Sequence, residues 1–364
     1  MRVLVLNPGS STLKAAVVDS GTSIADAVVE WPADAEDASG VVGSVLERLP
    51  NGVDAVGYRV VHGGGDYRSA TGIDERLLAR VDALDELAPL HNRRAVAVMR
   101  VGSATLRDVP HVACFDTAFH ASLEEPAWRY ALPVQWVERW GIRRFGFHGL
   151  SVAWSVRRAA ELLAKDASEL RLVVAHLGSG CSVTAVDGGR SAWTSMGYTP
   201  YEGPMMGTRS GSVDPGILIR LMRAGTSTDD LADGLAHSSG LLAIAGTSDA
   251  REVERRAERG DAAARLALAM FGRQVAASIA SAATALPAMD GLVFTGGIGE
   301  HSAAFRGAIL GRLGILGVPD SNAPTDGDTV VAPGPPATLV IEAREELVIA
   351  GEVEDLLHSA APSS

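Results

Sequence analysis

The feature that most constrains this chain is a strand–turn–strand unit that occurs twice. Near the start, the apolar run Val3-Leu4-Val5-Leu6 leads through Asn7 into a polar turn, Pro8-Gly9-Ser10-Ser11-Thr12. Leu13, Lys14 and a second apolar run, Ala15 to Val18, lead out of it. Residues 172–182, Leu-Val-Val-Ala-His-Leu-Gly-Ser-Gly-Cys-Ser, repeat the pattern, and Asp187-Gly188 closes the second copy as Asp19-Ser20 closes the first. Apolar runs on either side of a Gly-Ser turn read as antiparallel strands. Two copies half a chain apart predict a duplicated fold with a site between the halves. A third glycine turn, Phe294-Thr-Gly-Gly-Ile-Gly-Glu300, follows another apolar run and precedes a helix-like segment.

Glycine turns at strand ends let backbone N–H groups approach a phosphate. In the first turn Ser10, Ser11 and Thr12 add hydroxyls, Lys14 adds a fixed charge, and Asn7 offers a metal an oxygen. Such residues also make ordinary hairpin turns. Lysine usage favours the phosphate reading. Of 32 basic residues only Lys14 and Lys165 are lysine, and a compact ammonium is not interchangeable with a guanidinium in a tight phosphate site.

A chain of 364 residues fits two domains. Its 47% hydrophobic and 21% charged residues describe a globular protein. A net charge of -12 argues against nucleic acid as a partner. Cys114 and Cys181 make no disulfide framework, and the N-terminal apolar run breaks at Asn7, so a cytoplasmic protein without a signal peptide is expected. The apolar stretch 262–289 contains Arg265, Arg273 and Gln274, which predicts a buried helix or subunit contact rather than a membrane span.

Further strands are predicted over 26–30, 53–61, 111–115 and 338–342. Helices are predicted over 74–87, from about 92 to 106, and over 151–165, 215–223, 228–236, 249–259, 262–286 and 345–358. Pro32 to Gly40 reads as a surface connection and 119–150 as loop-rich. Interleaved strands and helices give an α/β class.

Polar residues interrupt the glycine-rich loops and strand ends: Arg59 with His62, Asp116, His148 and Arg209. A loop arginine is often only a solvated charge, but beside glycine-rich backbone it can clamp carboxylate or phosphate oxygens. Glu345-Glu346 opens the last helix; the pair either complements the helix dipole or supplies a magnesium ligand. No HExxH, CxxC or GxSxG spacing is present, which argues against a zinc site or a Ser-His-Asp triad.

Together, Asn7-Pro-Gly-Ser-Ser-Thr-Leu-Lys14, Arg59-Val-Val-His-Gly-Gly64, Leu87-Ala-Pro-Leu-His-Asn92, Phe115-Asp-Thr-Ala-Phe-His120, Arg144-Phe-Gly-Phe-His-Gly149, Glu202-Gly-Pro-Met-Met-Gly-Thr-Arg-Ser-Gly211 and Phe294-Thr-Gly-Gly-Ile-Gly-Glu300 resemble the acetate kinase family from end to end. That family belongs to the superfamily of acetate and sugar kinases, actin and heat-shock chaperones. The resemblance implies two ribonuclease-H-like domains, residues 1–118 plus 348–364 and residues 119–347, with an active-site cleft between them. It also implies nucleotide binding and homodimerisation through the second domain.

The resemblance further implies reversible phosphoryl transfer between ATP and acetate, giving ADP and acetyl phosphate, with Mg²⁺ or Mn²⁺. Position by position, Asn7 and Glu345 match the metal residues. Arg59 matches the residue holding the substrate carboxylate, and Val61, Leu90, Phe147 and Pro200 match the pocket for its methyl group. Asp116, His148 and Arg209 match the catalytic residues. Ser10, Thr12, Lys14, His176, Leu177, Gly178, Ser179, Gly180, Asp249, Ala250, Arg251, Gly297, Ile298, Gly299, Glu300 and His301 match the nucleotide side.

The chain also departs from the family. Tyr58 replaces a usual His, Ser179 an Asn, Ser212 an Asp and His301 an Asn. The usual Thr and His after His148-Gly149 become Leu150 and Val152. Ala343-Arg344 stands where Thr and Asn or Asp are usual. Several changes fall on the nucleotide side, while the phosphoryl and carboxylate residues are intact. Alternatives are a propionate or butyrate kinase, which Val61 disfavours by narrowing the pocket, and a non-catalytic nucleotide-binding protein of the same fold.

Overall fold

The computed structural model describes residues 1–9, 11–32, 37–88, 91–320 and 323–360. Two units are distinguished by their internal packing. The first comprises Met1–Ala121, Phe147–Trp154 and Arg344–Ser364; the second comprises Ser122–Gly146 and Ser155–Ala343.

The first unit is built on six strands: β1 (Arg2–Pro8), β2 (Thr12–Asp19), β3 (Thr22–Glu30), β4 (Ala55–Val60), β5 (Thr71–Gly72) and β6 (His111–Phe115). Their order across the sheet is β3-β2-β1-β4-β6-β5. The first three form an antiparallel meander; β1, β4 and β6 run parallel. Successive side chains of a strand face opposite ways, and both faces here are covered. Leu4 and Leu6 enter a core shared with the helices Ala38–Leu46, Glu75–Asp82 and His91–Thr105. Val3 and Val5 enter another with Ile349, Ala350 and Val353 of the closing helix Glu345–Ala360. That double burial explains why β1 reads as an unbroken apolar run rather than an alternating one. Gly57 is needed where the closing helix crosses β4, because a Cβ there would lie 2.6 Å from Ile349 and 2.9 Å from Val353.

The second unit repeats the plan with β7 (Arg171–Leu177), β8 (Cys181–Asp187), β9 (Arg190–Thr194), β10 (Gly291–Thr295), β11 (Thr329–Ala332) and β12 (Ala337–Val340). Its order, β9-β8-β7-β10-β12-β11, matches that of the first sheet strand for strand. In both sheets the outermost sixth strand is short, antiparallel, and precedes its neighbour in the chain. The duplication predicted from the two hairpins therefore extends through the whole topology. Helix Ala262–Ala283 is long and apolar enough, by length and composition, to cross a membrane. It buries Ala264, Ala267, Phe271, Val275 and Ile279, and Phe271 meets Phe305 edge-on with centroids 5.0 Å apart. This is the core helix expected of the stretch.

Several elements differ from the sequence expectation. Helix Ala38–Leu46 occupies part of the expected surface connection, of which residues 33–36 lie outside the described residues. The loop-rich stretch holds two short helices, Glu125–Trp128 and Val134–Trp140. The third glycine turn is itself helical over Gly296–His301, because Glu300 Oε1 folds back to accept the Gly296 N–H at 2.7 Å.

Glu352, on the closing helix, packs beside the Cys114 thiol of β6, and its Oε2 is buried without a hydrogen-bond partner. Burial raises its carboxyl to about 7; the thiol opposes the shift, while Asp116 and Asp355 add to it. A carboxyl raised on folding makes its ionisation a cost that appears as pH climbs from the unfolded value through the folded one. Glu352→Gln is therefore expected to stabilise the protein at pH 8 by on the order of 1–3 kcal/mol and to change little at pH 4.5. Denaturant unfolding at both pH values checks this; an equal effect at both would contradict it.

Candidate active site

In the first unit, the carboxyl ends of three adjacent parallel strands carry the candidate residues. Asn7 lies near the end of β1, Arg59 near the end of β4, and Asp116 directly after β6. Ligands of open α/β sheets bind at such ends. Arg59 donates from Nε to Asp116 Oδ1 at 3.1 Å and from Nη2 to Oδ2 at 2.7 Å, a bidentate pair. Its Nη1 donates to Asn7 Oδ1 at 3.2 Å and meets Glu345 Oε2 at 2.9 Å. Asn7 Nδ2 donates to the same Glu345 oxygen at 2.9 Å. Among the described residues the guanidinium thus makes three hydrogen bonds and two ion pairs.

The electrostatics follow from burial. Asp116 is 1% exposed. Burial raises its carboxyl above the ordinary range, Arg59 pulls it back, Glu345 adds to the rise, and a hydrogen bond from the His148 backbone N–H opposes it. For Arg59 burial works against the charge, but Asp116 and Glu345 outweigh it and hold the guanidinium firmly protonated.

His148 has a left-handed backbone, φ 58°. A non-glycine residue there costs on the order of 1–3 kcal/mol and is retained only where the surroundings enforce it. Val61 and Phe147 are buried, and Phe147 meets the His62 ring edge-on at 5.3 Å. Leu90 and Ser10 lie outside the described residues.

The first turn is fixed by the Gly9 N–H, which donates to the Thr12 carbonyl at 2.8 Å. Lys14 faces solvent on β2, opposite Asn7. Sequence reasoning missed Arg94. Buried over the Trp31 ring at 4.4 Å, it donates to the carbonyls of Gly9 (3.2 Å), Trp31 (3.0 Å) and Pro32. It also assigned no role to Asn92, which ties helix to loop by accepting the His62 N–H and donating to the His62 and Val81 carbonyls.

In the second unit, the Gly178 N–H donates to the Gly180 carbonyl at 2.9 Å, shaping the turn after His176 and Leu177. Ser179 is exposed, and its carbonyl accepts from Gly207. The loop from Met196 to Gly211 is pinned throughout. Helix Gly240–Ala245 donates to the Met206 and Gly207 carbonyls, and Gln274 accepts the Met205 N–H. Arg144 donates to the carbonyls of residues 194–196 and to Glu202.

The Arg209 guanidinium donates to the Pro200 carbonyl at 3.3 Å and forms no ion pair with a carboxylate among the described residues. Burial lowers its pKa, while Tyr201 and Cys181 oppose the fall. A partly buried arginine without a counter-charge is suited to an anion. The Gly296–His301 helix begins beside Leu177, so close that a Cβ on Gly296 would meet the Leu177 backbone at 2.8 Å. Gly297, Ile298 and Gly299 lie in its first turns; His301 is exposed at its end. Glu300 is committed to the N–H groups of Gly296 and Ala343. Asp249 caps the helix beginning at Ala250 and pairs with Arg251, whose side chain is 90% exposed.

Among the described residues no group of three or more His, Cys, Asp and Glu could hold a metal. The Asn7 and Glu345 oxygens matched to a metal in the sequence both meet Arg59 Nη1 here; they are of the hard type that Mg²⁺ takes.

The acetokinase family profile matches residues 39–351. An acetate kinase of Deinococcus radiodurans is 43% identical over 386 aligned residues, covering 97% of either chain. The crystal structure of Porphyromonas gingivalis acetate kinase superposes with a TM-score of 0.87 at 32% identity, covering 98% of this chain and 99% of that one. A propionate kinase from Francisella tularensis superposes at 0.83 with 33% identity, covering 96% and 98%. The duplicated sheets, the Arg59 cluster and the glycine turns thus coincide with a match along nearly the whole sequence, and the chain belongs to the acetokinase family.

Proposed function

We propose that this protein is an acetate kinase that passes a phosphoryl group reversibly between ATP and acetate. The observation that carries the reading is the Arg59 cluster: a guanidinium anchored by Asp116, Asn7 and Glu345 at the carboxyl ends of β1, β4 and β6. The acetate oxygen attacks the γ-phosphorus, the bond from phosphorus to the ADP oxygen breaks, and no covalent enzyme intermediate is needed. Phosphoryl transfer of this kind relies on positioning and charge neutralisation. Arg59 orients the carboxylate, with Val61, Phe147 and Pro200 receiving the methyl group. His148 and Arg209 stabilise the phosphoryl oxygens, and Asp116 holds Arg59 in place.

Lys14, Thr12 and the turns at Gly178–Gly180 and Gly297–His301 serve the nucleotide phosphates, with Asp249, Ala250 and Arg251 on the nucleoside side. Mg²⁺, held through Asn7 and Glu345, neutralises phosphate charge when bound. We read the protein as a cytoplasmic homodimer. Helix Pro215–Arg223 supports this by exposing Ile217, Ile219, Leu221 and Met222 on one element. Sedimentation at the dimer mass is expected, and a monomer at micromolar concentration would refute it.

A second reading, a propionate kinase, is favoured by the Francisella relative. One methylene in an apolar pocket is worth about 10–200-fold in specificity. Hydroxamate trapping of the acyl phosphate is expected to give a kcat/KM at least tenfold higher for acetate; a preference for propionate overturns this choice. No acyl phosphate from any short acid would favour a nucleotide-binding protein without catalysis. Arg209→Ala is expected to lower kcat by about 10²–10³-fold while leaving the Kd for ATP within about threefold. Comparable losses in both would remove Arg209 from the transition state.

A further inference from the structure

The turn that carries His148 is held by a residue to which the proposed mechanism gives no part. Gly149 donates its N–H to the Asp116 carbonyl at 3.1 Å, and its α-carbon sits so close that an added Cβ would collide with that oxygen and with Phe119. The His148 N–H bonds the Asp116 side chain. These two contacts fix the turn after His148. Before it, the Phe147 carbonyl meets His120 Nε2 at 3.0 Å. A carbonyl only accepts, so His120 carries its proton on Nε2. The ring is 1% exposed, and burial lowers its pKa to about 4, with the Phe147 carbonyl opposing. The imidazole is therefore a neutral, fixed donor throughout the physiological range. His148 needs such support, since φ 58° is a conformation an L-residue rarely keeps unaided.

We infer that His120 is a positioning residue for the phosphoryl transfer: its Nε2–H holds the Phe147 carbonyl and thereby aims the His148 imidazole. His120 itself touches neither substrate nor nucleotide. The inference rests on the phosphoryl-stabilising role proposed for His148. It follows that loss of the donor weakens kcat through His148 and leaves ground-state binding nearly intact.

The test is a double-mutant cycle in the full-length enzyme. His120→Leu is expected to lower kcat at least tenfold with both KM values within threefold, whereas His120→Gln, which places an N–H near the Nε2 position, keeps kcat within about fivefold. In a His148→Ala background His120→Leu should cost less than a further twofold. An additive cost there, or equal kcat for the Gln and Leu variants, overturns the positioning role while leaving the kinase reading in place. If His148→Ala alone changes kcat less than threefold, the role given to His148 falls, and this inference with it. Should His120→Leu fail to fold, the Gln and Asn variants decide: Asn is too short to reach Phe147 and is expected to be at least tenfold slower than Gln, and equal rates would refute the proposal.

Discussion

A guanidinium taken out of water needs its charge answered nearby, and in the first unit that requirement organises everything around it. Arg59 is only 16% exposed. Withdrawing such a cation from water costs several kcal/mol unless carboxylates and hydrogen bonds replace its hydration. Here the replacements come from three places in the chain: β1 through Asn7, the segment after β6 through Asp116 and the closing helix through Glu345. Once Asp116 is bidentate to Arg59, its backbone is fixed, and the Gly149 N–H reads that position from the other side. Two ion pairs sharing Arg59 thus tie together the ends of two strands, the N-terminus of the closing helix and, through Asp116, the turn at His148. A buried pair of this kind contributes little net stability; what it supplies is a single arrangement of groups.

The second unit uses the same strand ends for different chemistry. The counterparts of β1, β4 and β6 are β7, β10 and β12, in the same order and with the same parallel sense. Their carboxyl ends lead into backbone rather than charge: the turn Gly178–Gly180 after β7 and the helix Gly296–His301 after β10. Bare backbone presents N–H groups to phosphate without side chains intervening. The duplicated scaffold thus ends its strands in a charged cluster in one copy and in glycine-rich backbone in the other. Arg209, held by a loop pinned on both sides, is the cationic exception in the second copy.

The hairpins were legible because apolar runs and Gly-Ser turns report local geometry directly. Helix Ala38–Leu46 was not, since Ala-Ser-Gly-Val-Val-Gly-Ser has weak intrinsic preference; what starts it is the Asp37 side chain accepting the Gly40 N–H. The two-residue β5 leaves no periodic signal at all. Gly296–His301 read as a turn because glycine disfavours helix, and the fold-back of Glu300 reverses that preference. Arg94 escaped notice because an arginine on a helix is ordinarily solvated, and only tertiary structure reveals three carbonyls converging on it. His120 and Asn92 stood in recognised motifs without a role. His120, between Phe119 and Ala121, carried a signal of burial but not of its partner, and Asn92, between His91 and Arg93, carried none.

Two departures from the family pattern, Ser179 and Ser212, fall where backbone bonds set the geometry. Ser179 replaces an amide side chain, yet the turn is held by Gly178 N–H to Gly180 and by Gly207 N–H to the Ser179 carbonyl, neither of which depends on residue 179's side chain. Ser212 replaces a carboxylate, but its hydroxyl still accepts the Gly203 N–H at 3.1 Å while its own N–H returns to the Gly203 carbonyl at 2.8 Å. Tyr58 replaces a histidine and finds a histidine elsewhere, its hydroxyl meeting His111 Nδ1 at 2.8 Å. Only at Ser212 does a short side chain retain a bond; at Ser179 the backbone makes it, and at Tyr58 a longer side chain finds a different partner. Loss of the charge at Arg59 has no comparable substitute, because the Asp116 and Glu345 carboxylates would be left buried without their shared cation. A turn made by backbone bonds thus accepts a changed side chain, whereas a cluster made by charges does not.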